Sequence, residues 1–242
     1  MKEINAPFEL IAFDGDDTLW HNETLYTMTQ ERFKQLLADY HDGEIVDQEL
    51  YETEMRNLAR YGYGIKSFTL SMIETAIELT DGRIGGAEIR HIIDFAHEML
   101  SAPAHPLDGI EEVLKALFNN YRLMIITKGD LFDQETKIAR SGLVDYFQHV
   151  EIVSNKRSQT YQALLAKHGT PAERFLMIGN SLPSDILPVV AIGGHGVYIP
   201  YHTTWAHEVV NEEDVSRDTY VELGDIRQLP ELLKAWDRSE NN

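Results

Sequence analysis

FELIAFDGDDTLW, residues 8–20, is the stretch that decides how this chain reads: a mainly apolar run ends on two carboxylates, Asp14 and Asp16, split by Gly15 and followed by Thr18. A short apolar run that stops at a glycine has the length and composition of a strand covered on both faces. Asp14 then stands at the carboxyl end of that strand. In open parallel sheets the crevice beyond the carboxyl ends is where ligands bind, so acids placed there have a chemical use. Gly15 lets the backbone turn sharply and approach a ligand closely. The plainer reading of DGDDT is an Asp- and Gly-rich turn after an edge strand; the rest of the chain decides between the two.

Downstream the texture changes. From about Glu23 to Leu100 apolar residues recur at helical spacing, which predicts helices over Glu23–Tyr40, Asp47–Arg60, Lys66–Leu79 and Ala87–Leu100. Asp42-Gly43, Gly62-Tyr63-Gly64 and Asp81-Gly82 separate them, and Ser101–Pro106, with two prolines, breaks the pattern as a hinge would. After Leu107 helices and strands alternate. Helices are expected at Asp108–Asn119, Leu131–Arg140, Ser158–His168, Ser184–Ile192 and Ile226–Trp236. Strands are expected at Tyr121–Thr127, Val150–Val153, Phe175–Ile178, Gly196–Ile199 and Thr219–Leu223. Strands separated by helices imply a doubly wound parallel sheet with right-handed crossovers, an α/β Rossmann-like fold carrying an all-helical insert. The expected division is a core domain of residues 1–20 and 103–242 and an insert of residues 21–102.

Composition narrows the partners. At 242 residues, with 43% hydrophobic and 25% charged residues, the chain reads as an ordinary globular protein. The absence of a signal peptide pattern and of any long apolar run gives a cytoplasmic expectation. No cysteine is present, which excludes disulfides, zinc-thiolate sites and thiol nucleophiles together. Forty acids against 21 bases leave a formal charge of −19, a field that repels nucleic acid and anionic membranes. A small phosphorylated molecule is still admissible, because a bound divalent cation and a few lysines reverse the potential within one pocket.

Other strand ends carry side chains that complement the acid pair: Thr127-Lys128-Gly129 after YRLMII, Lys156 after the strand near Val153, and Gly179-Asn180-Ser181 after FLMI, with Asp185 close behind. The chemistry this set suits is phosphoryl transfer through an aspartate. A carboxylate such as Asp14 attacks phosphorus to form an acyl phosphate, splitting one hard displacement into two easier ones. Asp16 is placed to protonate the leaving oxygen and later to deprotonate water. Acids beside a phosphate dianion repel it and each other, so a divalent cation is needed, and magnesium accepts the carboxylate, carbonyl and amide oxygens on offer. Asp14, the Asp16 carbonyl and side chains between Asn180 and Asp185 are its candidate ligands. Thr127 with the following Lys128 and Gly129 would hold the phosphoryl oxygens, and Lys156 would balance charge.

On these residues the chain resembles the haloacid dehalogenase-like hydrolase superfamily over almost its whole length. DGDDT resembles the first motif, Thr127 the second, Lys156 the third and GNSLPSD the fourth, and a helical insert directly after the first motif is similar to the branch that carries a cap there. The resemblance implies a phosphatase with Asp14 as nucleophile, Asp16 as acid/base, Thr127 and Lys156 as phosphate binders, and Asp185 in a magnesium site, with the cap excluding water and setting specificity. Asn180 departs from the Asp common in the magnesium-dependent phosphatases of the group; it still offers an oxygen but removes a formal charge.

The alternatives are a dehalogenase, which has no need of Asp16 because a halide leaves unprotonated, and a phosphonate hydrolase, which needs a cap lysine, with Lys66 the candidate. A phospho-accepting receiver or a non-catalytic binding module is the alternative from another class. Tyr63, between two glycines of the insert, is a candidate substrate contact against the simpler reading of a loop aromatic packed on its own domain. Gly193–Gly196 precedes a strand and reads as a tight turn, not as a dinucleotide fingerprint. The substrate within the small phosphorylated class and the oligomeric state are left open.

Overall fold

The computed structural model describes residues 8–203, 205 and 219–239. In chain order they form β1 (Leu10–Phe13), four helices α1 (Glu23–Leu36), α2 (Gly43–Tyr61), α3 (Ile65–Leu79) and α4 (Gly86–Ser101), and then an alternating series. That series is α5 (Ile110–Leu117), β2 (Arg122–Lys128), α6 (Leu131–Arg140), β3 (His149–Val153), α7 (Ser158–His168), β4 (Phe175–Gly179), α8 (Leu187–Val190), β5 (His195–Tyr198), β6 (Val221–Glu222) and α9 (Leu229–Ser239). The described residues divide into two compact units. One takes the described residues up to Glu23, Ala104–Lys128 and the described residues from Ile138 on; the other takes Thr24–Pro103 together with Gly129–Lys137.

The first unit holds a six-stranded sheet in the order β3-β2-β1-β4-β5-β6, every pairing parallel. Successive residues of a strand point to opposite faces, so an apolar run buried on both sides feeds two cores at once. Ile11, Phe13, Leu123, Ile125, Leu176 and Ile178 pack on one face with Val113 and Leu117 of α5 and Leu229 and Leu233 of α9. The alternate residues Leu10, Ala12, Met124, Ile126, Phe175 and Met177 pack on the other with Tyr161 and Leu165 of α7 and Val189 of α8. This is the doubly wound α/β Rossmann-like sheet, and its order reverses at β1, the switch point at which such folds open a crevice. Phe13 pairs with Ile125 on one side and Ile178 on the other, so the carboxyl ends of β2 and β4 flank that of β1.

In the helical unit, Phe33 and Leu37, Val46 and Leu50, Phe68, Met72 and Ala76, and Ile92, Ala96 and Met99 form a separate core, each set at three- or four-residue spacing. Among the described residues no helix is long and apolar enough to cross a membrane.

Most element bounds move by a few residues from the sequence expectation, and three of the differences have local reasons. The first helix stops at Leu36, not Tyr40, because the Leu37 N–H is shared between the Phe33 and Lys34 carbonyls and the last turn tightens. Gly43, expected as a separator, opens α2, with Asp42 in extended backbone before it. The helix expected over Ser184–Ile192 is instead a wide π-type turn over Leu182–Ile186 followed by the short α8. Pro183 and Pro188 lack the N–H donors that a continuous ladder requires.

Candidate active site

β1 ends in a loop whose shape follows from its sequence. The Gly15 carbonyl accepts from the N–H groups of Thr18, Leu19 and Trp20, and the Asp17 N–H returns to the Trp20 carbonyl at 2.8 Å. Asp17 closes this turn at φ 61°, a left-handed conformation that Asp tolerates better than most residues. Its carboxylate accepts from the N–H of Asn22 at 2.9 Å and of Glu23 at 3.0 Å, capping the start of α1. Just beyond, residues 19–21 pair with 105–107, through His21 N–H to the His105 carbonyl and Leu107 N–H to the Leu19 carbonyl. The strands leaving and re-entering the sheet unit are thus tied to each other. The proline-rich hinge expected at Ser101–Pro106 supplies one side of this ribbon.

Asp14 is buried, and its N–H bonds the Ile178 carbonyl of β4 at 2.9 Å. The buried Lys156 ammonium donates to Asp14 Oδ1 and to Asp185 Oδ1, the second at 2.7 Å. Asp185 is fully buried and is held again by the Ser181 N–H on Oδ2 at 3.1 Å. Its carboxylate lies on the α-carbon of Gly179, where any Cβ would collide with it. Asn180 brings the end of its carboxamide 3.1 Å from Thr18 Oγ1, 3.1 Å from Asp14 Oδ2 and 3.2 Å from the Asp16 carbonyl. With its NH2 at that end, Asn180 donates to these oxygens. With Oδ1 there, it accepts from the Thr18 hydroxyl and stands in an oxygen cluster with Asp14 and Asp16.

Octahedral magnesium with bonds of 2.0–2.1 Å sets neighbouring oxygens about 3 Å apart, which matches the separations of Asn180 from Asp14 and Asp16. The charge balance agrees: the buried Lys156 faces two carboxylates, Asp14 and Asp185, and the charge of Asp16 acts on Asp14 as well. Burial first, and the Asp185 charge second, push the Asp14 carboxyl up to about 8, against the pull of Lys156. Lys156 is held above its usual range because its two carboxylates outweigh the cost of burying it. The residues present therefore fit a divalent cation. Among the described residues no three of His, Cys, Asp and Glu gather as a metal site; a carbonyl and an amide complete this set instead.

The remaining expected residues fall as follows. Thr127, buried at the end of β2, has its Oγ1 3.2 Å from where a Gly15 Cβ would stand, so it lies against the Asp14–Asp16 loop. Lys128 Nζ donates to Ser184 Oγ at 3.0 Å. Gly129 follows at φ 145°, a conformation suited to glycine. Tyr63 is half-buried in the α2–α3 loop of the helical unit. Lys66, in that unit, pairs with Asp130 at 2.9 Å from an exposed position. A lysine desolvated for Schiff-base chemistry would look different.

Sequence reasoning missed two residues of the loop. Asp17 is one. The other is Trp20, fully buried, whose indole N–H donates to Asp16 Oδ1 at 2.8 Å.

The haloacid dehalogenase-like hydrolase family matches residues 8–193. The chain is 43% identical to the haloacid dehalogenase-like family hydrolase from Xanthomonas campestris, with a TM-score of 0.85 over 97% of this chain and 94% of that one. It is 25% identical to the pyrimidine 5'-nucleotidase YjjG of Escherichia coli over 77% of this chain and 83% of that protein. It is 29% identical to the glyceraldehyde 3-phosphate phosphatase of Pyrococcus abyssi, covering 80% and 82%. The chain belongs to the haloacid dehalogenase-like hydrolase family.

Proposed function

We propose that this enzyme is a magnesium-dependent phosphomonoester hydrolase that acts on a small phosphorylated molecule through an aspartyl-phosphate. The observation that carries the reading is the meeting of Asp14, the Asp16 carbonyl and Asn180 at 3.1–3.2 Å beside the buried Lys156. Asp14, the Asp16 carbonyl and Asn180 Oδ1 would hold the cation, which when bound offsets the negative charge of phosphate and carboxylates. Asp185 acts on the same site through Lys156, which it holds in place.

The Asp14 carboxylate attacks phosphorus; an O–P bond forms, the bond from phosphorus to the leaving oxygen breaks, and that oxygen takes a proton from Asp16. Water then attacks phosphorus and gives a proton back to Asp16, and the acyl phosphate bond breaks to free Asp14. Lys156 offsets charge on the nucleophile, while the Thr127 hydroxyl and the backbone N–H groups after it hold the phosphoryl oxygens. The helical unit serves as the cap, with Tyr63 as a contact to the substrate body. A dehalogenase has no use for Asp16 as an acid, which favours the phosphatase.

The relatives named above act, by their names, on pyrimidine nucleotides and on a triose phosphate, so the test uses both classes. Phosphate release from 4-nitrophenyl phosphate, pyrimidine nucleoside monophosphates and triose phosphates is measured with magnesium and with chelator, for the native chain and Asp14→Asn. The expected result is turnover that needs magnesium and is lost in the variant. Release that survives Asp14→Asn, or none from any ester, overturns the reading.

A further inference from the structure

Trp20 contributes a contact that neither the fold nor the family match explains. A buried indole N–H needs an acceptor. Here it is aimed at Asp16 Oδ1, 2.8 Å away. The ring itself is wedged into the loop: a Cβ on Gly15 would stand 2.8 Å from Trp20 Cζ2, 3.3 Å from Cη2 and 3.2 Å from Thr127 Oγ1. The Trp20 backbone is fixed by its carbonyl, which accepts from the Asp17 N–H at 2.8 Å, and by its bridge to Pro106. The indole is therefore held in place, and its bond helps to orient a half-buried carboxyl whose side chain turns about two torsions.

An indole N–H only donates. Oδ1 is thus committed as an acceptor, and a proton on the Asp16 carboxyl belongs on Oδ2. We propose that Trp20 is a positioning residue that fixes Asp16 by Oδ1 and makes Oδ2 the oxygen that hands over the proton. As the bond between phosphorus and the leaving oxygen breaks, its electron pair stays on that oxygen, which takes the proton from Oδ2; the attacking water later returns one to the same atom. The inference rests on the phosphatase reading.

The test separates it from a structural role by the leaving group. A 4-nitrophenolate leaves readily without a proton, whereas an alkoxide does not, so only the alkyl ester depends on a well-aimed acid. kcat/KM, which reports the first displacement, is measured with 4-nitrophenyl phosphate and with glycerol phosphate for the native chain, Trp20→Phe, and a chain carrying benzothienylalanine at position 20. The last keeps the ring shape and replaces N–H by sulfur, so it guards against a variant that fails to fold. General acid–base catalysis supplies about 100- to 10,000-fold, so loss of its aim is expected to lower kcat/KM for the alkyl ester about 10- to 100-fold while the aryl ester changes by less than about 3-fold. An equal fall for both esters, or no fall in the sulfur isostere, overturns the role of Trp20. No release from either ester by the native chain overturns the phosphatase reading and this inference with it.

Discussion

Gly179→Ala adds one methyl group at the carboxyl end of β4, and the structure says what it meets. The new Cβ would stand 2.5 Å from Asp185 Cβ and nearer still to the carboxylate, against an ordinary contact of 3.4–4 Å. Asp185 is fully buried and its two oxygens hold Lys156 Nζ at 2.7 Å and Ser181 N–H at 3.1 Å, so it has nowhere to go without releasing both. Overpacking of this kind costs about 1–3 kcal/mol, and removing one partner of a buried ion pair about 3–5 kcal/mol. The two penalties overlap, because moving the carboxylate relieves the clash, so a total of about 4 kcal/mol is expected. For a chain of this length that lowers Tm by about 10 °C. Phosphate release should fall with it, since Lys156 is left with Asp14 alone. The assay is thermal unfolding by circular dichroism alongside phosphatase rates below the transition, with Gly224→Ala as control. A Cβ at Gly224 meets nothing within 4 Å, so the control should stay within about 0.5 kcal/mol of the native chain. A Gly179→Ala protein with native Tm and native turnover would refute the packing of Asp185 against Gly179.

Two further outcomes follow from the same loop. Because the folded Asp14 carboxyl sits at about 8, above its ordinary value of 3.8, its contribution to stability is complete at low pH and is lost as pH rises through 8. In chelator the native chain should lose stability between pH 5 and 8 more steeply than Asp14→Asn, by about 1 kcal/mol per pH unit, as urea unfolding at several pH values would show. Saturating magnesium should shrink that difference, and parallel slopes in chelator would rule out the strained carboxyl. Asp17→Ala removes the acceptor for the Asn22 and Glu23 N–H groups and puts a less tolerant residue at φ 61°, so urea unfolding should show a loss of about 1–2 kcal/mol. Asp17→Asn, which keeps an acceptor and tolerates the left-handed region, should recover most of it; equal losses would argue against the cap.

The sheet was legible because its signal is local. Runs such as FELIAF, YRLMII and FLMI bury both faces, and that pattern holds wherever neighbouring strands fall in the sheet. Boundaries were less so: Pro183 and Pro188 replaced one expected helix by a π-type turn and a short α8, and the sharing of the Leu37 N–H ended α1 early. Both depend on hydrogen-bond choices that an apolar period does not record.

The sequence alone determined that Asp14, Thr127, Lys156 and Asn180 stand at strand ends, because alternating strands and helices in a parallel sheet send every carboxyl end to the same edge. It also determined the chain-wide excess of acids over bases, which is a matter of counting. What each group touches is a product of the packing. Lys156 bridges Asp14 and Asp185, Asp185 lies on Gly179, and the Trp20 indole reaches Asp16, through distances set by the register of β1 against β2 and β4 and by the left-handed turn at Asp17. Charge partners at that range decide protonation and orientation. Residue order fixes which groups can meet, whereas three-dimensional packing selects the oxygen, the nitrogen and the separation at which they do.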